Sequence, residues 1–245
     1  MTELHLTRAR LRTTRGEALS AIAPLLVPDD AAKRASHSHR IVWLLFQDLA
    51  NAERDFLWRD EGEGRYMILS RRPPSDPHDL FDLQTKPFEP SLDRGDRLSF
   101  VLRANPVVAS KAALDAAPGA SRARGKRVDV VMHALFGAHS REERKAMSKK
   151  GELSPARERI VQETGAAWLA AQGAKAGFEL AGKPAISGYA QIAVERGHGR
   201  PAGFSVLDFA GTIAVNDPAA FIDRLAKGLG SAKAFGNGLM LIRRA

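Results

Sequence analysis

The stretch QIAVERGHGRPAGFSVLDFAGTIAVNDPAAFIDRLAKGLGSAKAFGNGLMLI, residues 191–242, decides the fold. Gln191–Glu195 and Phe204–Val215 are strand-forming runs on either side of Arg196-Gly197-His198-Gly199-Arg200-Pro201. Two such runs around a glycine-containing turn predict a hairpin. Asn216-Asp217-Pro218 places a capping carboxylate before a proline in the first helical turn, which predicts a helix through Leu229. Leu239–Ile242 reads as a short final strand. With a helix before it, the second half runs helix, strand, strand, helix, strand.

The first half has a similar rhythm. Glu3–Leu11 alternates apolar and polar residues and reads as a strand. A helix is expected between Asp29 and Leu49, with Asp29 and Asp30 as candidate caps and Ile41–Phe46 as its apolar run. Asp55–Arg59 and Arg65–Ser70 flank Glu61-Gly62-Glu63-Gly64, a second hairpin pattern. Arg97–Ala104 is a further strand that closes at Asn105-Pro106, because proline cannot donate to a ladder. The expected fold class is therefore α+β: two tandem ferredoxin-like (RRM-like) βαββαβ domains with antiparallel sheets. The first would span residues 1–108, a linker rich in Ala, Ser and Gly 109–124, and the second 125–245. The charged segment His139–Arg159 reads as a solvated loop or helix face.

Composition narrows the function. Lysine and arginine outnumber aspartate and glutamate by 37 to 28 in 245 residues, so a polyanion is a natural partner. The absence of cysteine removes disulfides, thiolate zinc sites and cysteine nucleophiles, and fits a reducing cytoplasm. No apolar run approaches the ~20 residues of a membrane span. Nor does the opening Met-Thr-Glu-Leu-His resemble a secretory signal.

Three constellations could carry chemistry. In Ser36-His37-Ser38-His39-Arg40, Ser36 and His39 share a helix face, whereas His37 lies ~200° around from His39. A histidine beside a serine and an arginine can move protons next to a phosphate; the plain alternative is two surface histidines before a buried segment. His37 and His39 cannot chelate together from one helix, and no partners at motif spacing complete a zinc site. The string GLGSAKAFGNGL carries Gly228, Gly230, Gly236 and Gly238 around Lys233. Glycine-rich backbone with a lysine can hold phosphates, although a helix C-cap and a tight turn would account for half of it. Arg196, His198 and Arg200 at the hairpin tip could grip a nucleic acid, or simply be a solvated turn.

The combination resembles the CasE endoribonucleases of the type I-E CRISPR Cascade complex. The resemblance is carried by Phe209-Ala210-Gly211, Asp217-Pro218 and the glycine string through Leu239, then by Phe100–Pro106 and by Gly125-Lys126-Arg127. It implies tandem ferredoxin-like domains and a catalytic helix histidine, which by position is His39. It also implies attack by the RNA's own 2′-hydroxyl on the adjacent phosphate, giving a 2′,3′-cyclic phosphate and a 5′-hydroxyl without metal or cofactor. The implied partners are the stem-loop of the CRISPR repeat RNA and other type I-E Cascade subunits, with no membrane.

On this basis the expected catalytic residues are His39 and Ser36. The expected RNA contacts are Arg40, Arg103, Lys126, Arg127, Arg196, Arg200, Lys233 and glycines 228, 230, 236 and 238. The family tyrosine three residues before the histidine is Ser36 here, and a basic residue one turn beyond falls on Leu44. That departure keeps a non-catalytic RNA-holding subunit of the same fold as the alternative. An unrelated single-strand binder ranks lower, since aromatics are 7% and no RNP-like string is present.

Overall fold

A computed structural model describes residues 3–12, 28, 30–47, 54–109, 127–138, 155–194 and 202–245. The first sheet contains β1 (His5–Leu11), β2 (Phe56–Gly62), β3 (Arg65–Ser70) and β4 (Phe81–Pro87), in the spatial order β2-β3-β1-β4 with antiparallel pairings. Helix α1 (Ala31–Trp43) links β1 to β2. Asp30 caps it, its carboxylate accepting from the Lys33 N–H at 2.8 Å. Ile41, Val42, Leu45 and Phe46 then pack on Ala9, Phe56, Trp58, Ile68 and Phe81.

The second sheet contains β5 (Arg97–Ala104), a short β8 (Phe178–Leu180), β9 (Ala185–Val194), β10 (Ala202–Val215) and β11 (Met240–Arg244). Its order is β11-β5-β10-β8, with β9 also on β10. Strands β6 (Val107–Ala109) and β7 (Arg127–Asp129) pair separately and lead into α2 (Val130–Ala138). Helices α3 (Pro155–Ala176) and α4 (Pro218–Lys227) complete the unit. Its core gathers Leu98, Phe100, Leu102, Trp168, Leu169, Phe178, Phe209, Phe221 and Leu225. Both units have the ferredoxin-like strand order, fourth-first-third-second, and the first lacks the second helix of the motif.

One strand changes hands relative to the sequence reading. Arg97–Ala104 was expected to close the first unit, but it lies between β10 and β11 as the first strand of the second. The first sheet is closed instead by β4, which exposes Asp82, Gln84, Thr85 and Lys86. An edge strand of that polarity gives little apolar alternation to read. The chain therefore passes between sheets at residues 88–96. Residues 155–159 of the charged segment open α3; residues 139–154 and the expected linker 110–124 lie outside the described residues.

The units meet through Leu4, Leu57 and Leu69 from the first and Leu239 from the second, all buried together. At ~25 cal/mol per Å² of apolar surface, four buried leucines make a firm hinge between the sheets. No helix among the described residues is long and apolar enough to cross a membrane.

Candidate active site

Ser38 sets the rotation of α1. It is 1% exposed, and its Oγ lies 3.2 Å from Tyr66 Oη and 3.5 Å from Asp60 Oδ2. One residue further, ~100° around the helix, His39 emerges at the flank of the buried face. Its ring lies 6.1 Å edge-on from Trp43 and 5.8 Å from Phe235, centroid to centroid. Phe235 in turn stacks on Phe204 of β10 at 5.2 Å with only 18° between the rings.

Phe235 belongs to the glycine string. After α4 the chain turns at Gly228 (φ 72°), runs through a short 3₁₀ turn, Lys233–Phe235, and returns through Gly236 and Gly238 into β11. The Leu229 N–H donates to the Gly238 carbonyl at 3.0 Å, and the Gly238 N–H to the Arg103 carbonyl at 2.7 Å. The glycines face protein. A Cβ on Gly230 would sit 2.7 Å from the Asn105 oxygen, on Gly236 2.9 Å from the Trp58 ring, and on Gly238 2.6 Å from the Leu229 oxygen. The glycines let the turn press onto β2 and β5, with Lys233 half-buried as its charge.

Cations crowd this turn. Burial holds the His39 pKa below the ordinary histidine value, with further depression from Arg54 and Arg40 and an opposing hydrogen bond to the Ala234 backbone. His39 Nδ1 is buried with no hydrogen-bond partner. Burial also lowers the Lys233 pKa, helped by Arg54, Arg224 and Arg127. Lys233 Nζ donates to the Lys227 carbonyl, and Arg127 Nη1 to Ser231 Oγ at 3.1 Å. Like charges drawn together around a half-buried imidazole leave room for one kind of occupant, an anion.

The structure thus brings together His39, Arg40, Arg127 and Lys233, framed by Gly228, Gly230, Gly236 and Gly238. Ser36 lies one turn before His39, half-buried, with no hydrogen bond to it. Arg103 meets the turn through its backbone, while its side chain is engaged elsewhere, Nε and Nη2 donating to the Asp208 carboxylate at 2.9 and 2.7 Å. Lys126, Arg196 and Arg200 lie outside the described residues. Neither tyrosine replaces the one missing at Ser36. Tyr66 is buried under α1 with its pKa pushed up to about 12 by burial, and the Tyr189 hydroxyl donates to Asp129 at 3.1 Å.

Sequence reasoning missed Arg54, Phe204 and Phe235. Arg54 stands in an unpatterned stretch and carried no signal; Phe235 was visible as the one aromatic inside the glycine string. Among the described residues, no group of three or more His, Asp or Glu side chains is arranged to hold a metal ion.

Comparison with known proteins bears on the family and the fold. Residues 4–244 match the family model described as CRISPR associated protein. The Cascade subunit CasE of the CRISPR system of Escherichia coli (strain K12) is 29% identical over 208 residues, covering 82% of this chain and 88% of that protein. Thermus thermophilus Cse3, bound to an RNA representing a pre-cleavage complex, shares the fold with a TM-score of 0.63 at 23% identity, over 98% of this chain and 99% of that one. Escherichia coli K-12 Cas6e does so with a TM-score of 0.57 at 21% identity, over 98% and 100%. A family match along almost the whole length, together with the tandem fold, settles the affiliation: the chain belongs to the CRISPR-associated protein family, in its CasE (Cse3, Cas6e) branch.

Proposed function

We propose that this chain is an endoribonuclease that cuts precursor CRISPR RNA at the base of the repeat stem-loop and stays with its product as a cytoplasmic Cascade subunit. The observation that carries the reading is His39 packed on Phe235 of the lysine-bearing turn, inside a ring of cationic side chains. The RNA 2′-hydroxyl attacks the adjacent phosphorus as its proton passes to His39, the bond to the 5′-oxygen breaks, and that oxygen takes a proton from solvent, so that a 2′,3′-cyclic phosphate and a 5′-hydroxyl result. A depressed pKa keeps His39 neutral near pH 7, the form that takes the proton from the 2′-hydroxyl. Lys233, Arg54 and Arg40 stabilise the charge that builds on the phosphoryl oxygens, fixed in place before the reaction begins. Burial strengthens this effect by removing competing water.

Ser36 forms no hydrogen bond with His39, and its catalytic assignment rests on the helix face that the two share and on its place where relatives carry tyrosine. Arg127 sits on the far side of Lys233 and is a second phosphate contact. Arg196 and Arg200 on the hairpin grip the stem through its backbone, because the deep, narrow major groove of A-form RNA hides its bases.

The test is cleavage of a cognate repeat hairpin in EDTA. A single cut leaving a cyclic phosphate, lost in His39→Ala with binding intact, is the expected result. RNA that stays bound but uncut by the wild-type protein overturns the nuclease reading. It would favour a non-catalytic RNA-holding subunit, consistent with serine at position 36.

A further inference from the structure

The first sheet carries a second charged feature that the His39 turn does not use. Strand β1 buries Thr7, Ala9 and Leu11 and exposes Arg8 and Arg10 on the opposite face. Pairing sets these arginines in rows across the sheet: Gln84, Arg8, Met67 and Arg59 in one, Asp82, Arg10 and Arg65 in the next. Three strand spacings make the first row ~14 Å long, and two make the second ~10 Å. Gln84 and Arg8 of the first row and all three residues of the second line a groove of about 830 Å³, and Arg59 lies beyond its end.

Not every charge there is available. Arg12 is held by Asp79 and Asp82, and Arg65 pairs with Glu63 at 3.0 Å. Arg8 and Arg10 form no ion pair among the described residues. Glu61 and Asp82 border the groove, but Asp82 already accepts from Arg12.

The first row also continues beyond the sheet. Arg59 Nη2 lies 4.0 Å from Asp208, the carboxylate that holds Arg103 on the second sheet, and Arg59 Nη1 is buried without a partner, with a fifth of the side chain left exposed. Arg59 and Arg103 line a cleft of about 860 Å³ with Phe235 and Gly236, so the row ends at the turn that bears on His39. The groove wall is four arginines with Glu61, Asp82, Gln84 and Leu83, and holds no aromatic ring. Such a surface offers phosphate contacts but no platform for stacked bases.

We propose that Arg8, Arg10 and Arg59 form a track for the phosphates of the single-stranded RNA that continues past the scissile linkage, away from the stem. The track rests on the nuclease reading of His39, because it takes its direction from that site. It grips without regard to sequence and draws the uncut precursor taut across the cleft. The product that ends at the cut does not touch it.

Binding of stem-loop RNAs carrying a 2′-deoxy nucleotide at the cut position tests this without cleavage. Three RNAs are compared: one ending at the cut, one extended beyond it, and one extended at the opposite end. In the double variant Arg8→Glu/Arg10→Glu, the RNA extended beyond the cut should bind roughly tenfold more weakly, as two exposed ion pairs allow. Its slope of log affinity against log salt should shrink by about 1.4, at ~0.7 per lost single-strand phosphate contact. The other two RNAs should bind unchanged and the variant should melt with the wild type. Equal weakening of all three RNAs, weakening of the opposite extension, or no weakening overturns the track. Because the deoxy substrates cannot be cut, that outcome is separate from failure of the nuclease reading, which unmodified RNA and wild-type protein decide.

Discussion

Ser38 Oγ and Tyr66 Oη lie 3.2 Å apart inside the first domain, and this single polar contact ties the helix that carries His39 to the third strand beneath it. The apolar side chains around it can slide; a hydrogen bond in a buried setting cannot without leaving a donor unsatisfied. Tyr66→Phe should therefore destabilise the fold by ~1 kcal/mol, and Ser38→Ala by ~1–3 kcal/mol, since it strands the tyrosine hydroxyl. Urea unfolding of the two single variants and the double variant measures the coupling.

The His39 imidazole should titrate below the ordinary histidine value of ~6.5 in the free protein. With its folded pKa depressed, its contribution to stability is complete above ~6.5 and is lost as pH falls through the folded pKa. As the base, it should give a kcat/KM that is flat above neutrality and declines tenfold per pH unit below the folded pKa. NMR titration and a pH–rate profile should agree on the same midpoint. A bound phosphate raises that midpoint, so the kcat profile should bend at a higher pH than kcat/KM.

Arg54→Gln removes a positive charge that lowers both His39 and Lys233. Both groups should titrate at higher pH in the variant, which NMR of the free protein reads directly. Cleavage should fall at the same time, because the arginine also faces the phosphate.

Lys233→Ala should reduce kcat by ~10²-fold or more, as removal of one preorganised charge-stabilising group does elsewhere. His39→Ala should cost ~10²–10⁴-fold. Single-turnover cleavage at saturating protein separates both effects from binding.

Gly236→Ala and Gly62→Ala make a matched pair. Both residues have positive φ, 75° and 83°, but the added methyl meets the Trp58 ring in the first and open space in the second. The strain of a left-handed alanine costs ~1 kcal/mol at either site, so only Gly236→Ala should lose appreciably more. Its excess loss, read by urea unfolding, reports how tightly the glycine turn is pressed onto β2.

Much of this architecture was legible because local chemistry is unambiguous where it was read. Asp30 and Asp217 sit before helical runs and cap them through their carboxylates. Glu61–Gly64 marked a hairpin that the structure contains. The hidden parts share a physical cause: nothing in a strand's own sequence states which sheet it joins. Arg97–Ala104 buries Leu98, Phe100, Leu102 and Ala104 equally well in either unit, and only its partners decide. Helix α3 was expected but without bounds, since Gly165 and Gly173 weaken its helical signal while allowing Ile186 and Phe178 to pack against it. At the site, local pattern offered His37, His39 and Lys233 as candidates, and the family resemblance chose His39. Arg54 could not, because its approach to both is purely tertiary.

The placement of β5 has a consequence for how the molecule is born. Leu102 bonds to a strand containing Phe209 and to another containing Met240, both of which leave the ribosome long after it. The first sheet can close as soon as Pro87 has emerged, yet β5 must wait for partners translated much later. His39 waits too, since Phe235 of the turn it leans on follows it by most of the chain. A nascent polypeptide therefore holds the histidine beside Arg40 and Arg54 but without Lys233, and on the proposed mechanism RNA near the ribosome is spared until that turn has emerged.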